Sequence, residues 1–217
     1  MIKSKVALIS SVIILGLCMV LFLTFPNNVM FDARTTFMLF PISDNDGYNL
    51  LGIIGAILFI VAMILLAIGL EKYRVRTIIV VVILYSILPT VLITIYQETF
   101  ASGIEAISYD GEGNCDFNYV SKDLLDAECN LVLQNKSNEA VTFELEFLDT
   151  FYREDEGRMA SLMNIAGPYS ITIEANQEKN INLKKSLDVS DVPKHFEGAT
   201  SYGIHIKLIE EETERIL

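Results

Sequence analysis

Along this chain the spacing of apolar and polar residues changes character once. In the first part the apolar residues form unbroken runs: 6–25, 50–70 and 77–96 hold 20, 21 and 20 residues without Asp, Glu, Lys, Arg or His. Each approaches the roughly 20 residues that a helix rising about 1.5 Å per residue needs to cross hydrocarbon. The pattern predicts three transmembrane helices, an outer loop 26–49 and a short connection 71–76. Beyond residue 97 the period becomes two. Ala127, Cys129, Leu131 and Leu133 alternate with Glu128, Asn130, Val132 and Gln134, and Val141, Phe143, Leu145 and Phe147 alternate with Thr142, Glu144 and Glu146. Alternation of this kind predicts strands with one buried face. Further pairs at Ile171/Ile173 and Ile181/Leu183 imply a hairpin, Ile204, Ile206 and Leu208 a last strand, and 104–109 and 117–120 weaker ones. The expected organisation is a membrane domain, 1–97, followed by a β domain, 98–217.

Charge sharpens that division. Residues 1–97 hold 6 Lys/Arg and 4 Asp/Glu, and residues 98–217 hold 10 and 24, so the halves carry +2 and −14. An apolar half joined to a strongly acidic one excludes a uniformly soluble enzyme and a nucleic-acid binder, because polyanions are repelled. Lys3, Lys5, Lys72, Arg74 and Arg76 flank the spans on one side and only Arg34 on the other. Cationic flanks stay cytoplasmic, so the N-terminus is expected inside and the loop 26–49 and residues 98–217 outside. The first run could instead be a signal peptide, but it exceeds the usual apolar core and no small-residue cleavage site follows. Cys18 follows Leu17 and precedes Met19, which suits a helix-packing thiol better than a lipoprotein processing site.

The spans contain no ionisable group of the kind that marks proton relays and ion paths. They offer packing features instead. Gly52, Gly55 and Ala56 form a small-residue face that lets another backbone approach, within the chain or between protomers. Pro89 interrupts the third run, with Ser86, Thr90 and Thr94 at intervals of four, giving a polar, kinked helix that faces neighbours or, in an oligomer, a substrate path. The outer loop carries Phe31, Phe37, Met38, Leu39 and Phe40, enough apolar surface that it should rest on the bilayer interface or on the outer domain. Asp44-Asn45-Asp46-Gly47 resembles part of a calcium loop, yet its register puts Ile42 and Ile53 at the first and twelfth positions, where ligands are required.

Short strands, frequent turns and no amphipathic helix predict a two-sheet antiparallel sandwich outside the membrane. The run Cys129-Asn130-Leu131-Val132-Leu133-Gln134-Asn135, followed by Val141-Thr142-Phe143-Glu144-Leu145, resembles strands B and C of immunoglobulin-like or fibronectin-like modules. The resemblance is one of fold and implies no activity, and the strand-C Trp of antibody domains has no counterpart in a chain without Trp.

Cys115 and Cys129 would face each other across a hairpin centred on Lys122, with Phe117 opposite Ala127 and Tyr119 opposite Leu125. On an oxidising side of the membrane they are expected to form a disulfide, the competing reading being two free thiols. The segment 151–168 breaks the strand pattern. Its Met159, Leu162 and Met163 either form the apolar centre of a protein interface or cover the end of the core.

Nothing points to catalysis or to a cofactor. His195 and His205 lack partners at metal-ligand spacing, and no nucleophile or phosphate-loop motif occurs. The acidic stretches 154–156 and 210–214 read as solvated faces. The expected function is recognition of a protein partner, basic or membrane-embedded, by an acidic outer domain held in membrane lipid, with homo-oligomers allowed. The alternative is an accessory subunit of a transporter or export complex, and an extracytoplasmic hydrolase ranks third.

Overall fold

The computed structural model describes residues 2–23, 25–27, 33–44, 47–149, 159–192 and 198–217. Residues 28–31 of the outer loop, Asn45 and Asp46, the segment 151–158 with its acidic stretch, and His195 lie outside the described residues. The chain divides into two compact units near Phe25 and again after Thr94, and Pro26 and Asn27 count with the second unit.

The first unit is built on helices α1 (Lys5–Leu21), α2 (Leu50–Gly69) and α3 (Arg74–Thr99), of 17, 20 and 26 residues. By length and composition α2 and α3 can each cross a membrane, whereas α1 is a shorter apolar helix. The first apolar run thus outlasts its helix. At its end the Phe22 N–H donates back to the Cys18 carbonyl, and Pro26 disfavours helical backbone in the residue before it. The third run is shorter than its helix, since Arg74, Arg76, Gln97 and Glu98 lie on it too. Polar side chains start two of the helices: Ser4 accepts from Ala7 N–H at 3.3 Å and Asn49 from Gly52 N–H at 3.0 Å.

The buried residues of α2, Gly52, Gly55, Ala56, Phe59, Ala62, Leu66 and Gly69, recur every three or four positions and form one stripe. Ser11 on α1 donates to the Ala62 carbonyl at 2.8 Å, a bond that also satisfies a hydroxyl with no other outlet in an apolar setting. Part of the outer loop folds into a small antiparallel sheet of β1 (Thr35–Phe37), β2 (Phe40–Asp44) and β3 (Gly47–Tyr48). Phe40 is fully buried against Phe22, edge to face at 4.8 Å, and near Phe59. This apolar loop therefore seats at least Phe40 on the helices of its own unit, a support that neither the bilayer nor the outer domain provides.

The second unit contains β4 (Ile107–Tyr109), β5 (Asn114–Ser121), β6 (Leu124–Asn135), β7 (Val141–Leu148), β8 (Tyr169–Ile173), β9 (Glu178–Asp188), β10 (Gly198–Tyr202), β11 (His205–Glu210) and β12 (Thr213–Ile216). One sheet runs β10-β5-β6-β4, with β9 also on β6, and the other runs β12-β11-β7-β8; every pairing is antiparallel. The twelve residues of β6 organise the first sheet, pairing in turn with β5 and β4 and along nearly their whole length with β9. Cys129, Leu131 and Leu133 from that sheet and Phe143, Leu145 and Phe147 from the other belong to one buried cluster, as the two-residue period requires.

The hairpin expected between 171–173 and 181–183 does not form. Strand β8 pairs with β7 and β9 with β6, so the turn after Ile173 passes the chain from one sheet to the other. Both choices leave Ile171, Ile173 and Ile181 in the common core, and β9 gains an eleven-residue ladder that the five-residue β8 could not have matched.

Candidate functional site

The β5–β6 hairpin keeps the register expected from the sequence: Cys115 faces Cys129, Phe117 faces Ala127 and Tyr119 faces Leu125, with an irregularity between Tyr119 and Ser121. Cys115 and Cys129 are joined in a buried disulfide. The far end of this hairpin presents apolar groups to solvent, Tyr119 at 48%, Val120 at 52% and Leu124 at 36% exposure. They sit at the opposite end of β6 from Asn135, where Lys136 N–H donates to the Ala106 carbonyl near the start of the unit.

That starting end is held by buried polar side chains. A 3₁₀ turn, Gly103–Ala106, leads into β4. Gln97, 3% exposed, donates to the carbonyls of Glu105 and Ile107 at 3.0 and 3.1 Å. Arg215 on β12, 4% exposed, sends Nη1 to the carbonyls of Ile104, Glu105 and Ile107 at 2.6–2.8 Å and Nε to that of Pro26 at 2.8 Å. Burial pulls the guanidinium's pKa down to about 10, which still leaves it charged at neutral pH. Glu210 accepts from Ile104 N–H at 2.9 Å, its carboxylate filling the space where a Cβ on Gly103 would stand; at φ +57° that position favours glycine. Glu210, expected on a solvated face, is thus engaged, while Glu211, Glu212 and Glu214 are exposed.

Asn135 is another polar group the sequence did not single out for its fold. It is fully buried and donates to the carbonyls of Glu139, Ile173 and Glu174 at 2.7, 3.1 and 3.2 Å while its own carbonyl accepts from Ser137 N–H and Oγ. The turn after β6 is thereby tied to the turn after β8. Two more polar residues hold the irregular segment. Asp149 accepts from Met159 N–H, Ser161 N–H and Ser161 Oγ, and the Asn164 amide exchanges two bonds with the Phe147 backbone, at 2.8 and 2.9 Å, as a neighbouring strand would.

Those bonds open a 3₁₀ helix, Ala160–Ala166, that inserts Leu162 and Met163 into the core at 1% and 0% exposure, with Met159 packed partly buried against it. Leu162 and Met163 are thus buried in the core of this unit, and Met159 is the partly exposed member of the three. In the first unit, the small-residue face is used within the chain. A Cβ on Gly52 would meet the Pro41 carbonyl of β2, and one on Gly55 would meet the rings of Phe22 and Phe40, while Ala56 lies in the same cluster. On α3, Pro89 is buried but Ser86 and Thr90 are exposed, and Ser86 Oγ donates to the Val82 carbonyl one turn back at 3.0 Å.

The outer face of the first sheet carries an open hollow of about 440 Å³ beside Asp126, Glu128, Lys184 and Lys185. Two of its charges are matched to each other: Glu128 pairs with Lys184 at 2.8 Å, and that lysine, with Asn182, holds the Glu128 carboxyl below its ordinary pKa. His205 is half-buried on β11, and among the described residues no three His, Cys, Asp or Glu side chains gather as metal ligands would. Comparison with known proteins returns no match to a family model, to a curated protein or to a solved structure.

Proposed function

We propose that this chain is a three-span membrane protein, N-terminus inside, whose outer immunoglobulin-like sandwich captures a protein partner through the tip of its β5–β6 hairpin. The observation that carries the reading is the exposure of Tyr119, Val120 and Leu124 together at that tip, on a half of the chain with charge −14. Clustered aromatic and aliphatic groups inside a charged surround are the composition of an interface centre, and the acids would steer a basic partner toward it.

The sandwich class is supported by the strand order. With β5, β6 and β9 taken as A, B and E, and β8, β7, β11 and β12 as C′, C, F and G, the neighbours among these seven strands are those of immunoglobulin-type modules, while β4 and β10 are additions to the first sheet. The disulfide departs from antibody domains, since it joins adjacent strands of one sheet. The third span is supported by α1 itself: its 17 residues, all but Lys5 uncharged, give about 25 Å at 1.5 Å each, near the lower limit for spanning. Orientation is supported by the five-to-one distribution of flanking cations.

A second reading, an accessory subunit bound to a membrane partner, is favoured by α3, which is only 11% buried over its most apolar window and exposes Ser86 and Thr90. Capture of co-purifying proteins in mild detergent separates the two. The triple change Tyr119→Ser, Val120→Ser and Leu124→Ser is expected to abolish capture, while Ser86→Leu with Thr90→Leu leaves it intact. The opposite pattern would replace the first reading with the second.

A further inference from the structure

Five cations collect at one end of the first unit. Ile2 bridges Leu70, and the N–H groups of Lys3 and Ser4 both donate to the Gly69 carbonyl, at 2.8 and 3.2 Å. These bonds fix the beginning of the chain beside the α2–α3 turn, so that Lys3 and Lys5 join Lys72, Arg74 and Arg76. All five are exposed. Among the described residues none of them has a carboxylate within salt-bridge reach, although the chain as a whole has an excess of acids.

The turn is also shaped. Tyr73 sits at φ +61°, an uncommon conformation for a residue with a side chain, and its ring is 63% exposed. Arg76 stands over that ring at 5.7 Å, and Arg74 Nε is anchored on the Leu70 carbonyl at 2.7 Å. Around them lies an open hollow of about 600 Å³ bordered by Glu71, Tyr73, Arg74, Val75 and Arg76, so that two guanidinium groups stand against one carboxylate. Bare apolar surface starts at once: Val75, Ile79 and Val80 are 70%, 54% and 53% exposed along α3. A cationic hollow continuous with an apolar helix face suits a molecule with an anionic head and a hydrocarbon tail, and suits a free anion less.

We propose that the 71–76 turn, with Lys3 and Lys5, is a binding site for the phosphate headgroup of an acidic phospholipid whose acyl chains lie along α3. The proposal rests on the membrane reading above. Unmatched cations at a membrane surface each favour acidic lipid by about fivefold, and salt weakens the effect.

The chain has no Trp, so Tyr73→Trp supplies a single reporter in the full-length protein, reconstituted with brominated phosphatidylglycerol or brominated phosphatidylcholine. With the reporter at position 73 the acidic lipid is expected to quench at a mole fraction about fivefold lower or better. A separate Tyr48→Trp reporter is expected to show no preference. Adding Arg74→Gln and Arg76→Gln should reduce the preference at position 73 by about fivefold or more, the remaining lysines keeping the rest, whereas Arg74→Lys with Arg76→Lys should keep it whole; unchanged quenching by the neutral lipid reports that each variant is still inserted. Equal quenching by both lipids at position 73 would overturn the site. Loss of the preference on adding millimolar inorganic phosphate at constant ionic strength would overturn the lipid assignment in favour of a general phosphate site. Absence of quenching by either lipid at both positions would overturn the membrane reading, and this proposal with it.

Discussion

Asn135 shows how much one buried amide can hold. Its nitrogen serves three carbonyls from two turns, and its oxygen two donors of Ser137. Although Asn135-Lys136-Ser137 reads as a glycosylation sequon, its acceptor nitrogen is committed and fully buried in the folded chain. Asn135→Ala should destabilise the full chain by about 2 kcal/mol, because the three carbonyls lose a buried donor. Asn135→Asp should cost more at neutral pH, since a carboxylate would face the same oxygens. That carboxyl's folded pKa would lie above its unfolded value of about 3.9, so the excess penalty is complete above the folded pKa, fades as pH falls through it and is gone below the unfolded value. Denaturant unfolding in detergent at pH 7 and near pH 4 measures both; an Asp variant as stable as Ala at pH 7 would contradict the account. Arg215 is the second such residue. Arg215→Met should lower stability by about 3 kcal/mol, because buried carbonyls lose a charge-assisted donor, and a loss below about 1 kcal/mol would show that water replaces it. In sequence both residues look ordinary, one in a turn and one in an acidic run, because burial of a polar group depends on what folds over it.

At the scale of elements, legibility follows the range of the interactions. The β5–β6 hairpin could be read to the residue, since a period of two and a short turn fix register locally. The pairing of β9 with β6 joins residues about fifty positions apart, and nothing local in 171–183 distinguishes it from a hairpin. Strands β10 and β12 escaped notice for a different reason: they are edge strands, and β12 buries only Arg215, so it shows no apolar alternation. The small-residue face of α2 was legible as a place of close approach, but not what approaches, since Pro41 and Phe40 arrive from a loop with no periodic signature. Two changes test these elements. Replacing Cys115 and Cys129 together by Ala should cost about 3 kcal/mol, the chain-entropy value for a loop of this length, while leaving the hairpin's amide protection pattern in place. Loss of protection across β5 and β6 would mean that the disulfide, not the ladder, sets the register. Gly55→Leu should destabilise by about 1–3 kcal/mol, because its side chain would enter the space of the Phe22 and Phe40 rings. An unchanged melting temperature would show that this face is not packed within the chain.

At the scale of the molecule, the chain joins a helical unit bearing unmatched cations at one end to an acidic unit of two antiparallel sheets. In the proposed topology a membrane would separate those charges and give each a reason. Cations resist translocation and remain where acidic lipid is found, and an acidic outer surface stays soluble and selects among partners by charge. The proposed topology would put the Cys115–Cys129 disulfide on the side where disulfides persist. The central claim is therefore topological, and impermeant maleimide labelling of intact cells tests it most directly. In a Cys18→Ala background the native pair is disulfide-bonded and unreactive, so one new cysteine reports alone. Lys122, at the hairpin tip, and Lys72, in the α2–α3 turn, are both exposed positions for it. The account predicts that Lys122→Cys is labelled in intact cells and that Lys72→Cys is labelled only after the membrane is permeabilised; labelling of Lys72→Cys in intact cells would contradict it.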